Sequence, residues 1–531
     1  MRRFYSKQLV NFLVAAFSAA PLLTSAAPFK PGNIVVARVG TGSTALSAAA
    51  AAVFLDEYTP SGTLVQSVGL PTAVSRNNRI LTAAGNATTE LSLTRSADGH
   101  YLVLTGYSAA PGTATVASKA ATDVTRVIGL IGADGSIDTS TSTGTAFDGV
   151  SIRGAATADG TSFYSVGGDG GVLYQAYGSY AATPLSTTPA DIRSVNVVGG
   201  NLYVSTNADA YVGLSQVATG LPTTPDQAVA VLPGFPGATA GASPNSFYLA
   251  DLDATVPGVD VAYVADDRTT GGGGIQKWSL VGSSWVLNGT IAGTSSAAVR
   301  GLNGQVTGTA VALAATSNTG LFLLTDNTGY NKAPSLAALP TAVVTAGTNR
   351  AFRGIAFAPL AAQPTIASFT PDAGGEGTTV TITGTNLGGA SDVHIGAVSI
   401  TDYTVVSATT LTFVVPSLTG SLTGPITVVT PGGTATSAAS FNLVVLATLA
   451  SQALPGLSVY PNPATDYVQV ELPQATALTV SLRDLLGRPV LAPVLLQAHQ
   501  PLRLPASLAA GVYLLEIEQG TTKAVRRIEK K

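Results

Sequence analysis

Residues 151–166 read Ser-Ile-Arg-Gly-Ala-Ala-Thr-Ala-Asp-Gly-Thr-Ser-Phe-Tyr-Ser-Val. A short run opening on Ile-Arg-Gly, an Asp-Gly turn and a second run with aromatic and β-branched residues describe a β-hairpin. The same order returns along the chain. Ile192-Arg193-Ser194 leads to Leu202-Tyr203, Val299-Arg300-Gly301 leads to Val311-Ala-Leu313, and Phe352-Arg353-Gly354 opens Ile355-Ala-Phe357. The four arginines are 40, 107 and 53 residues apart, and 107 is close to two units of 53. The unmatched unit in that gap holds Ser246-Phe-Tyr-Leu249. A several-stranded repeat of about 40–55 residues is the signature of a β-propeller blade. Residues 27–361 are therefore expected to form a β-propeller of about six blades, since roughly 330 residues divide into six such units. The last unit, from Arg353, is short of strands. Asn33–Val39 is expected to supply them, closing the ring and removing sheet edges that promote aggregation. The repeated arginines read as hydrogen-bond donors between blades.

Composition narrows the chemistry. Hydrophobic residues make up 46% of the 531, enough for packed cores, while charged residues make up 10% against roughly 25% in an average domain. A net charge of −3 provides no basic field for nucleic acid, so no nucleic-acid partner is expected. With no cysteine, disulfide frameworks, thiol nucleophiles and thiolate zinc sites are excluded. His100, His394 and His499 are too scattered for a local metal motif, and His100 reads as a turn-edge residue after Asp98-Gly99. Neither a G-x-S-x-G elbow nor a phosphate-binding loop occurs.

The first 26 residues read as a secretory signal. Arg2, Arg3 and Lys7 precede a largely apolar Leu9–Leu23, and Thr24-Ser25-Ala26 is a small-residue cleavage site, with cutting expected between Ala26 and Ala27. No transmembrane segment is expected beyond it, because about 20 apolar residues are needed to span.

Residues 362–445 carry Pro364-Thr-Ile-Ala-Ser-Phe-Thr-Pro371, Gly374-Gly-Glu-Gly377 and Val380-Thr-Ile-Thr-Gly-Thr-Asn-Leu387. The segment closely resembles the IPT/TIG family, which implies an immunoglobulin-like sandwich. DNA-binding relatives use basic loops, whereas lysine and arginine are absent from 362–445. A spacer, or a carbohydrate or protein contact surface, fits better. After a linker at 446–455, residues 456–531 alternate apolar and polar positions as a second small sandwich. Tyr460-Pro461-Asn462-Pro463, Asp466, Asp484, Gly487-Arg488, Gly511 and Tyr513 stand in the order Y-P-N-P-A-x-D, D-x-x-G-R and L-x-x-G-V-Y. This set closely resembles the type A C-terminal sorting domain of the type IX secretion system in the Bacteroidota. The resemblance implies passage through the periplasm and engagement by the outer-membrane secretion machinery. The cargo would then be released or held at the cell surface.

The densest acidic stretch is Asp251, Asp253, Asp260, Asp266 and Asp267. Carboxylates at alternating loop positions suit Ca²⁺, making calcium the candidate cofactor. The competing reading is a solvated turn in which Asp266 and Asp267 pair with Arg268. Trp278, Trp285 and Tyr263 read either as blade core or as a sugar-stacking platform. No catalytic residue is assigned. The expected role is non-catalytic recognition or adhesion through the propeller, toward a polysaccharide or a surface protein. A hydrolase or lyase using Asp and a metal ion, and a structural surface-layer component, are the alternatives.

Overall fold

The computed structural model describes residues 26–237, 241–269, 271–294, 298–417, 423–443 and 454–531. The expected leader lies outside them except for Ala26. The chain divides into two compact units, residues 1–364 with Val429–Thr434, and Thr365–Val428 with Ala435–Lys531.

In the first unit, short alternating runs and glycine turns give six antiparallel four-stranded blades, four of them separate sheets and two joined into one sheet. Blade 1 comprises Thr94–Arg95, Tyr101–Tyr107, Arg126–Gly132 and Ile137–Asp138. Blades 2 and 3 begin with Ile152–Ala156 and Ser194–Val198, and blades 4 and 5 with Pro244–Ala250 and Gly301–Thr307. Blade 6 is built from both ends of this region. Its inner strand Ala351–Phe357 pairs antiparallel with Ile34–Val39, placing Val36 opposite Ile355, and Ala50–Tyr58 and Leu64–Gly69 follow outward. The inner strands touch in succession from blade 1 to blade 6 and back to blade 1. The unit is a closed six-bladed β-propeller. At the seam, Thr82–Ala84 pairs with Ala50–Ala52 and with Tyr107, tying blades 6 and 1 into one nine-stranded sheet.

The arginine repeat explains the ring. The residue after each arginine is small, Gly154, Ser194, Gly301 or Gly354; Ser92, just before the inner strand of blade 1, and Ser246, within that of blade 4, are the small residues of the other two. Here the strands come closest: Ser92 Oγ lies 3.4 Å from Ser194 Oγ, two blades away. A β-carbon on Gly354 would overlap Leu93 N and Leu91 O, so no larger residue fits there. Backbone bonds cross between blades at this level, from Ser92 N to Arg153 O at 2.9 Å, Ser246 N to Arg300 O at 3.2 Å and Gly354 N to Leu91 O at 3.0 Å. Hydroxyls of Ser205 and Thr316 bond the carbonyls of Asn245 and Arg353 in the next blade. Outside this ring, apolar side chains fill the gaps between sheets, such as Val103, Ile128, Ala155 and Phe163 between blades 1 and 2.

A buried ion pair locks blade 4 to blade 5. Lys277 Nζ lies 2.7 Å from Asp326 Oδ2, both side chains are fully buried, and Tyr263 donates its hydroxyl to the same oxygen at 2.7 Å. Lys277 also donates to Thr328 Oγ1 and Gly329 O at 2.7 Å.

Residues 365–443 form a four-stranded and a five-stranded sheet. Val380, Ile382, Leu411, Phe413, Ile426, Val428 and Phe441 are buried in one core. Alternation along Thr379–Thr385 puts Val380, Ile382 and Gly384 inward, as their spacing predicts. Residues 458–530 form sheets of three and four strands around Val468, Val480, Leu515 and Ile517. The whole is all-β, a propeller followed by two immunoglobulin-like sandwiches.

Burial works to raise the Asp326 pKa, but hydrogen bonds from Lys277, Tyr263 and Thr328 and the Lys277 charge outweigh it, and the pKa is lowered. A carboxyl depressed on folding stabilises the fold above its unfolded pKa, and that contribution is lost as pH falls through the folded value. Asp326→Asn leaves Lys277 buried without its counter-charge, at a cost of about 3–5 kcal/mol. Thermal unfolding at neutral pH should show the loss, and its size should shrink in acid.

Candidate functional site

Three places on the chain are candidates for function: the end of the propeller that carries the arginines, a pocket between blades 3 and 4, and the C-terminal sandwich.

At the channel mouth the arginines do bridge blades. Arg153 pairs with Asp191 and donates to Ile192 O of blade 3 at 3.1 Å. Arg193 reaches Ser243 Oγ at 3.2 Å and Asp267 at 3.3 Å, and Arg300 Nε reaches the same Asp267 oxygen at 3.1 Å. Arg353 donates to Asn318 Oδ1 at 3.1 Å and to Gly85 O at 2.9 Å. The cavity among Arg300, Arg353, Asn245, Asn318 and Glu90 measures about 20 Å³. That is room for one water-sized occupant. Glu90 is buried, accepting Tyr107 Oη–H at 2.7 Å and Ala84 N–H at 3.1 Å, and burial pushes its pKa up.

The five aspartates expected to share calcium do not converge. The buried strand Val261–Asp266 separates them. At one end, Asp260 accepts Leu252 N–H at 2.8 Å and Asp253 N–H at 2.6 Å, while Asp253 caps Thr255; Asp251 lies in the same loop, exposed. At the other end, Asp266 binds Arg268 through both oxygens at 2.7 and 2.8 Å, and Asp267 serves Arg193 and Arg300. Among the described residues, no group of three or more His, Asp or Glu is arranged to hold a metal. The proposed Asp266–Arg268 pair forms, and Asp267 turns instead to the neighbouring blades. His100 is half-buried, with Nδ1 2.8 Å from Leu360 O.

The aromatic residues belong to the blade interior. Tyr263 is buried against Asp326. Trp278 stacks on Phe235 with ring centres 4.4 Å apart, and Trp285 lies 6.0 Å from the same ring. One edge of Trp285 nevertheless walls a cavity of about 300 Å³ with Tyr203, Asn201, Gln216, Leu232, Leu280 and the Pro257–Val259 segment. This pocket opens at the end of the propeller opposite the arginines, beside the Gly199-Gly200 hairpin and the loop carrying Asp251 and Asp253. Gln216 Nε2 donates to Asn201 Oδ1 at 3.2 Å, which also accepts Gly220 N–H at 2.9 Å. The Tyr203 hydroxyl has no hydrogen-bond partner among the described residues. Burial raises its pKa above the ordinary phenol value. Sequence reading missed Tyr203, Asn201 and Gln216 as a set. They lie on adjacent strands and meet only through the pairing that puts Tyr203 opposite Gln216.

In the C-terminal sandwich, the motif residues make the turns and the docking contacts. Asn462 bridges to the last strand, donating to Arg527 O at 2.8 Å and accepting Glu529 N–H at 2.8 Å. Ala464 N–H donates to Glu529 O at 2.7 Å, and Asp466 O accepts Leu504 N–H at 2.9 Å. Tyr460 is exposed beside Pro461, and Pro463 leads into the buried Ala464. Asp484 Oδ1 accepts Leu486 N–H and Arg488 N–H at 2.9 Å while Oδ2 pairs with Arg488 at 2.7 Å. Gly487, at φ 79°, gives this turn the left-handed residue it needs. Gly511 opens the strand on which Tyr513 sits, and the Tyr513 hydroxyl donates to Ala509 O at 2.9 Å.

Residues 458–531 match the secretion system C-terminal sorting domain, and residues 364–443 match the IPT/TIG domain. The chain carries both modules. The sorting domain directs it to the cell surface or the extracellular space, and among the described residues no helix is long and apolar enough to cross a membrane. In sequence, no curated protein matches the chain. Among solved structures, a fungal alcohol oxidase of the AA5 family in complex with copper is similar at 10% identity over 79% of this chain and 98% of its own, with a TM-score of 0.31. A gluconolactonase from Xanthomonas campestris shares 14% identity over 56% of this chain and 92% of its own, TM-score 0.29. SGBP-B of Bacteroides ovatus, solved with a mixed-linkage heptasaccharide, shares 15% identity over 42% of this chain, TM-score 0.15. The chain spans about half of that protein's length, 52%. With scores this low, none of these likenesses bears on fold or ligand.

Replacing Asn462 with Ala removes two hydrogen bonds that fasten the first strand segment of the sorting domain to its last, at roughly 1 kcal/mol each. Fractionation of the native host should find the N462A protein retained inside the cell and depleted from the surface and medium.

Proposed function

We propose that this exported protein is a non-catalytic recognition protein that binds a neutral polysaccharide through the propeller pocket between blades 3 and 4. The observation that carries the reading is the composition of that pocket. It joins an aromatic wall, Trp285 with Tyr203, to uncharged polar groups, Asn201, Gln216 and the unpartnered Tyr203 hydroxyl. Sugar rings present apolar C–H faces and hydroxyl edges, which these two kinds of surface complement. A volume of about 300 Å³ suits one residue of a chain at the small end of ligand sites. The IPT/TIG domain is read as a spacer between the pocket and the sorting domain. The N-terminal leader and the type IX route in a member of the Bacteroidota belong to the same reading. A hydrolase or lyase site would need convergent carboxylates. The cavity at the channel mouth offers a single carboxyl, Glu90, beside Arg300, Arg353, Asn245 and Asn318, which speaks for binding over such chemistry.

A glycan array probed with the full chain should show saturable binding to neutral oligosaccharides. Tyr203→Phe should weaken it about fivefold, the loss of one hydrogen bond of about 1 kcal/mol, without shifting the melting temperature downward. Absence of binding to any neutral glycan would remove the reading.

A further inference from the structure

The channel mouth carries more positive charge than its protein partners neutralise. Arg193 and Arg300 share one carboxylate, Asp267. Arg353 is 5% exposed and forms no ion pair among the described residues; its partners are the neutral oxygens of Asn318, Phe352 and Gly85. The carboxyl facing this side, Glu90, has both oxygens engaged by Tyr107 and Ala84. Even with Glu90 ionised, three guanidinium groups meet two carboxylates. Burying an uncompensated charge is costly, and the usual remedy is a counter-ion. Burial lowers the Arg353 pKa to about 10, which leaves it charged at neutral pH.

The cavity at that spot is also short of an acceptor. Asn245 is 5% exposed, lines the cavity, and its Nδ2 has no hydrogen-bond partner among the described residues. Asn245 stands where blade 4 departs from the arginine repeat, so its amide takes the place of a guanidinium on the ring. Arg300, Arg353 and the Asn245 amide bring donors to a space of about 20 Å³, which Glu90 also lines with its oxygens held by Tyr107 and Ala84. That space holds a single atom or a water and excludes a carboxylate-bearing sugar.

We infer that the propeller binds one halide ion, chloride in physiological media, at the channel mouth between Arg300, Arg353 and Asn245. The ion completes the ring electrostatically where blade 4 supplies no carboxylate to the cavity. This is independent of polysaccharide recognition at the opposite end of the propeller, and its failure would leave that reading intact.

The test uses the full chain. Thermal unfolding in sodium chloride is compared with sodium gluconate at equal ionic strength and pH. Chloride should raise the propeller transition by on the order of 2 °C for each tenfold increase above its dissociation constant, and gluconate should not. Crystals grown in bromide should show an anomalous peak within hydrogen-bond reach of Asn245 Nδ2 and both guanidinium groups. Asn245→Asp places a carboxylate in the same space, so this variant should lose the chloride dependence and the bromide peak while remaining folded in gluconate. Equal melting in chloride and gluconate, or bromide peaks elsewhere and none at the mouth, would overturn the inference.

Discussion

Everything in the first unit depends on the pairing of Ile34–Val39 with Ala351–Phe357. A propeller blade exposes the inner edge and both faces of its sheet until neighbours cover them, so an unclosed ring would leave blade 6 with a single strand and blade 1 with an uncovered face. The antiparallel register here has one irregularity, between Val36 and Arg38, and buries all six residues of the N-terminal strand. Thr82–Ala84 then welds the same seam to blade 1. Once the ring is closed, the inner strands have no freedom to spread. Small residues become obligatory at Ser92, Gly154, Ser194, Ser246, Gly301 and Gly354, and the adjoining arginines are drawn into the gaps between blades.

That closure also separates the two ends of the propeller chemically. The end that carries the arginines gathers guanidinium and amide groups around a space for one water-sized occupant. At the other end, loops of blades 3 and 4 leave a larger, mainly neutral pocket. The cost of charge burial therefore falls on the channel, and the pocket remains suited to hydroxylated ligands. The second unit contributes delivery. Its sorting domain is built so that the segment carrying Asn462 is clasped by the final strand, and the recognisable fold includes the chain's last residues: Lys530 Nζ bonds Thr465 O at 2.7 Å.

Most of this fold was legible because local turn chemistry and the arginine repeat coincide. Ile-Arg-Gly followed by a hairpin marks an inner strand wherever it occurs, and the strand at Asn33–Val39 was needed arithmetically to finish the last blade. Blade 1 was harder to see because Glu90-Leu91-Ser92 replaces the arginine signal. The sorting motif was legible residue by residue, since Asn, Asp and Gly each act within a few positions or through backbone. The aspartates misled for the opposite reason. Their density in sequence suggests a cluster, but strand Val261–Asp266 carries Asp260 and Asp266 to opposite ends of a blade. Tyr203, Asn201 and Gln216 were invisible as a group because pairing between strands, and the neighbouring blade's Trp285, bring them together. Trp285 alone carried a signal: its core reading holds, and it also lines the pocket.

Hydrogen–deuterium exchange on the full chain tests ring closure most directly. If closure governs the propeller, amides of Ile34–Val39 and Ala351–Phe357 exchange together, as slowly as the inner strands of blades 2 to 5, through one cooperative opening. Rapid exchange at Ile34–Val39 while those inner strands stay protected would contradict the account.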